Sequence, residues 1–107
     1  MPGAFDEREN AFEKRFVADE TLRFRALARR NKALAQWAAG LIGLSTEAAA
    51  TFARDFVASQ VGRDDEAVAA SLRQDLDRAK VDLSDHRLRR KMEEALAEAL
   101  AAVKSGG

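Results

Sequence analysis

From Ala4 to Ala39 the chain contains neither proline nor glycine. Proline removes a helix donor and glycine raises the entropy cost of ordering, so their absence leaves helix as the default for residues rich in alanine, leucine, glutamate and arginine. The span predicts one helix from about Asp6 to about Leu41, roughly 55 Å long at about 1.5 Å per residue.

Beyond it, glycines mark the breaks. Gly40 and Gly43 end the first segment, Ser45 or Thr46 caps the next, Gly62 closes it, Asp64 caps a third and Ser84 a fourth. The second helix, near 46–61, carries Ala49, Phe52, Ala53, Phe56 and Val57 on one face, and the third, near 65–80, carries Val68, Leu72, Leu76 and Ala79. The fourth, near 85–104, aligns Leu88, Met92, Leu96, Ala99, Leu100 and Val103, with Lys104 suited to its C-terminus. Short loops between such stripes predict an all-α fold, an antiparallel four-helix bundle.

The first helix outgrows that bundle, because its partners reach only about 25–30 Å. Phe24, Leu27, Ala28, Leu34, Trp37, Ala38, Leu41 and Ile42 supply its bundle face, so the N-terminal half is left over. That half projects or is disordered when free, or else Asp19 caps a new helix and the segment folds back. The expected organisation is an N-terminal segment at 1–20, a bundle at 21–104 and a frayed tail at 105–107.

The left-over segment is more than half charged between residues 4 and 20, yet holds Phe5, Phe12 and Phe16 at i, i+7 and i+11. On a helix these rings form a narrow stripe bordered by Arg8, Glu9, Glu13 and Arg15. Burying them contributes about 5–9 kcal/mol in all, against about 1–2 kcal/mol per ordered backbone, so the segment alone is marginally helical. A stripe of this kind fits the groove of a partner, extends the bundle core, or pairs two copies as a short coiled coil. Residues 6–20 carry six acids and three bases, whereas residues 21–32 carry Arg23, Arg25, Arg29, Arg30 and Lys32 with no acid. Helix-dipole complementarity and the local pairs of Asp19 with Arg15 and Arg23 account for this, or the basic cluster meets an acidic partner or phosphate. Asn31, near the apolar face, either bonds another helix or lines a pocket with Arg29 and Arg30.

The remaining composition is restrictive. Eighteen bases against 18 acids argue against nucleic acid as the main partner, and the absence of cysteine removes disulfide frameworks and thiolate chemistry. The longest apolar run, residues 37–44, is too short to cross a bilayer, so no membrane insertion is expected. Leu83 stands three residues before the sole histidine, His86, where a di-metal bundle needs glutamate. Asp64, Asp65 and Glu66 lack the spacing of a calcium loop and read as a helix start. No phosphate loop or activated nucleophile is evident, so neither cofactor nor enzyme activity is expected, and Trp37 reads as packing.

The run FRALARRNKALAQWAAGLIG at 24–43, preceded by FDEREN at 5–10 and FVADE at 16–20, resembles the zeta subunit family of alphaproteobacterial F1Fo-ATPases. The resemblance implies an inhibitor of ATP hydrolysis whose N-terminal helix wedges into a catalytic alpha/beta interface near the gamma rotor. On matching positions, the inhibitory segment is Phe5, Asp6, Glu7, Arg8, Glu9, Phe12, Glu13 and Phe16. It also implies a cytoplasmic location, at the inner face of the membrane when bound to the synthase. The alternative is a small-ligand regulator binding nucleotide weakly near Arg29, Arg30 and Asn31.

Overall fold

The computed structural model describes the backbone of residues 3–106 and the side chains of residues 20–106. The chain is all-helical, with α1 at Gly3–Ile42, α2 at Thr46–Gln60, α3 at Asp65–Arg78 and α4 at Asp85–Lys104, and no strand among the described residues.

Local chemistry sets the boundaries. The side chains of Ser45, Asp64 and Ser84 accept from the backbone N–H three residues on, at 3.2, 2.8 and 3.2 Å, each covering one of the unpaired donors of a helix start. At the end of α1, Gly43 takes a φ of 84° and Leu44 N–H donates to Ala39 at 3.0 Å, the left-handed closure that glycine favours. After α3 the same closure is made by Lys80, with φ 60°, and Val81 N–H donates to Leu76 at 2.9 Å. Gly40, expected to help end the first helix, lies inside α1, where its negligible surroundings cost nothing and propensity alone is lost.

α1 is the element on which the others gather, packing most extensively on α4 and α2 and less on α3. Leu34, Ala35 and Ala38 of α1 join Ala53 and Phe56, then Val68, Leu72 and Leu76, then Leu88, Met92 and Ala95 in the main core. A second cluster sets Leu22 and Ala26 against Ala99, Leu100 and Val103. Farther along, the Lys91 ammonium lies 5.9 Å from the Trp37 ring. Residue numbers thus rise along α1 as they fall along α4. The last buried residue of α4, Val103, lies beside Ala26, and residues 3–21 continue α1 beyond Leu22 by about 28 Å of helix.

Three expected core residues are on the surface. Phe24 is 59% and Leu41 42% exposed, and Ala79 is an exposed cap. The buried arc of α1 is instead rich in small residues, with Ala26, Ala35, Ala38 and Ala39 all at 0% exposure. Small side chains bring neighbouring backbones close, and the large residues beside that arc are displaced to its rim.

Candidate functional site

The polar group expected at Arg29, Arg30 and Asn31 is divided by the helix. Arg29 faces solvent, while Arg30 is 2% and Asn31 5% exposed. Arg30 donates through Nε and Nη2 to Asn31 Oδ1, at 3.1 and 3.0 Å, and through Nη1 to Asp65 Oδ1 at 2.6 Å. Asp65 opens α3 and keeps its side chain 63% exposed, so the charge pair runs from the interior to the surface. Of the two roles expected for Asn31, it lines a cavity; the donor that its Oδ1 accepts from sits on its own helix.

That cavity lies between α1 and the end of α2 and encloses about 160 Å³. Phe24, Leu27, Val57 and Val61 form apolar walls, and Arg30, Asn31 and Gln60 supply the polar lining. Gln60 is 4% exposed, donates to Ser59 Oγ at 3.1 Å and accepts from Arg63 at 3.3 Å. Arg63 also reaches Ser71 Oγ at 2.9 Å, tying the α2–α3 loop to α3. No buried side-chain polar atom among the described residues lacks a partner. With its guanidinium matched by Asp65 and its space below the roughly 300–1,000 Å³ of typical ligand sites, the cavity suits a small apolar group better than a phosphate.

The acidic run at 64–66 resolves into three separate tasks. Asp64 caps α3, Asp65 holds Arg30, and Glu66 receives both Nη atoms of Arg89 from α4 at 2.7 and 2.8 Å. The Arg89 hydrogen bonds and charge hold the Glu66 carboxyl below its usual range and push the guanidinium up. Asp75, partly buried on α3, is shifted the other way, raised by desolvation against the opposing charge of Arg78. Among the described residues no three metal-ligating side chains come together.

Sequence reasoning missed both inter-helix pairs, Arg30 with Asp65 and Arg89 with Glu66. Their only local signal was acids in a first helical turn, which capping already explained. The side chains of Phe5, Asp6, Glu7, Arg8, Glu9, Phe12, Glu13 and Phe16 lie outside the described residues, although their backbone belongs to α1. No helix is long and apolar enough to cross a membrane among the described residues.

Among curated proteins none matches the chain. A protein-family model described as ATPase inhibitor subunit zeta matches residues 2–102, a span that takes in all of α2 and α3 and nearly all of α1 and α4. By that match over almost its whole length, the chain belongs to the ATPase inhibitor subunit zeta family.

Proposed function

We propose that the chain inhibits ATP hydrolysis by the F1 sector of ATP synthase, with residues 1–20 as the inhibitory segment and 21–104 as an antiparallel bundle that stays outside. In this reading the N-terminal half of α1 enters an interface between alpha and beta subunits near gamma, and Phe5, Phe12 and Phe16 are its anchors. Asp6, Glu7, Arg8, Glu9 and Glu13 flank them. The helix binds one conformational state of a site that must cycle, so inhibition equals selective binding and no bond is made or broken. Such a chain works in the cytoplasm, at the inner face of the membrane when bound.

The observation that supports this reading is the length of α1, which runs from Gly3 to Ile42 while its partner α4 ends beside Leu22 and Ala26. An element that outruns its own core is free to serve another protein's groove. The weaker alternative, a nucleotide-sensing regulator at Arg29, Arg30 and Asn31, suffers because Arg30 is already matched by Asp65. The test is ATP hydrolysis by F1 from the same source, measured with the full chain and with residues 1–18 removed. Inhibition by the full chain and its loss on truncation are expected; no inhibition by the full chain, or equal inhibition by both, would sink the proposal.

A further inference from the structure

Arg25, Arg29 and Lys32 are all exposed and stand at i, i+4 and i+7 on α1, in one line with the exposed Thr21 and Gln36. No acid occurs between Glu20 and Glu47, so none of the three has a carboxylate within one helical turn. Among the described residues none of them forms an ion pair, whereas Arg73, Arg89 and Arg90 on α3 and α4 all do. Like charges at i, i+3 and i, i+4 destabilise a helix by about 0.2–0.5 kcal/mol each. The helix dipole does not offset this, because its effect is confined to the last turn and the last turn of α1 holds no basic residue.

We propose that this stripe docks on an acidic protein surface of the F1 complex, outside the groove that receives the N-terminal segment. The inference rests on the inhibitor reading for the identity of the partner. The stripe lies on the side of α1 opposite its core face, and belongs to the same helix as the segment that enters the groove. It therefore meets a second wall, where complementary charge steers the encounter and fixes its orientation. A protein surface is favoured over nucleic acid because the stripe is one short line of three charges on a chain that is neutral overall.

The test is binding of the full chain to F1 at about 50 and about 300 mM salt, with the variant Arg25→Gln/Arg29→Gln/Lys32→Gln beside it and urea unfolding as a folding control. The wild type weakens steeply with salt, and the variant binds at least about tenfold more weakly at low salt with a flat response. A variant that matches the wild type, a wild type indifferent to salt, or a wild type that fails to bind F1 overturns the inference. A chain lacking residues 1–18 separates the two proposals. If it still inhibits and loses inhibition when the stripe is neutralised, the stripe stands and the N-terminal wedge falls. Stripe-dependent binding to phosphatidylglycerol vesicles or duplex DNA, with F1 binding unchanged in the variant, also overturns the inference.

Discussion

Arg30 on α1, 2% exposed, reaches Asp65 Oδ1 at the start of α3 across 2.6 Å, and Asn31 holds the other edge of the same guanidinium. Asn31 is 5% exposed, so its Oδ1 was desolvated for the Arg30 donors and is costly to leave without them. Arg30→Met keeps the side-chain bulk but strands Asn31 Oδ1, and is expected to cost about 1–3 kcal/mol. Arg30→Met/Asn31→Leu replaces both partners with apolar groups and recovers most of the loss; Asp65 is exposed and simply rehydrates. Urea midpoints of the two single variants and the double variant complete the cycle, and strictly additive losses would contradict the coupling.

Acid lability follows from Glu66. Its folded pKa is depressed by Arg89, so its contribution is fully present above the ordinary carboxylate range and disappears as pH falls through the depressed value. Glu66→Gln removes this dependence, and its stability changes less than that of the wild type between pH 5 and about 2. Chemical unfolding across that range checks the slope.

Asp75 has the opposite sign. Burial raises its folded pKa, so the unfolded chain gives up the proton first and the ionised group subtracts from stability above the folded value. Asp75→Asn is therefore more stable than the wild type at neutral pH. The difference vanishes below the unfolded pKa, where both forms are uncharged. A deficit at pH 7 would show that the Arg78 attraction outweighs desolvation.

The helix boundaries could be read from sequence because caps act over three or four residues: Ser45, Asp64, Ser84 and Gly43 all do what their residue types suggest. Pairing across 35 residues has no local signature, so Arg30 read as part of a basic cluster or polar pocket with Arg29. The alanines misled in another way. A hydrophobic stripe is sought through large residues, yet Ala26, Ala35 and Ala39 are wholly buried while Phe24 is 59% exposed. The missing breakers allowed one helix through residues 4–39, but left a fold-back from Asp19 equally open.

Lys80 is a local exception to these rules. It closes α3 at φ 60°, where its Cβ costs about 1–2 kcal/mol that glycine avoids, while glycine loses about 0.5–1 kcal/mol of chain entropy. Lys80→Gly is expected to stabilise the fold by up to about 1 kcal/mol. The converse change, Gly43→Ala at φ 84°, destabilises by about 1 kcal/mol even though nothing lies within 4 Å of the added carbon. Thermal midpoints moving in opposite directions would establish that the turn conformation, and not packing, sets both effects.

On the proposed reading, function and folding separate along α1. The core contacts of its described side chains begin at Leu22, and the inhibitory role proposed for Phe12 and Phe16 lies N-terminal to that point. Phe12→Ala and Phe16→Ala each remove an anchor from the proposed groove, where a buried phenylalanine contributes about 1.5–3 kcal/mol. Each variant should weaken inhibition of F1 by about tenfold or more. If these rings serve the partner's groove, each variant's urea midpoint should stay at the wild-type value. Ala26→Asp supplies the contrast: a charge forced into the cluster with Ala99 and Val103 unfolds that end of the protein and lowers the midpoint. Inhibition titrations and unfolding curves on the same samples make the comparison. If Phe12→Ala lowers the unfolding midpoint as Ala26→Asp does, the ring belongs to the protein's own core and the docking assignment fails.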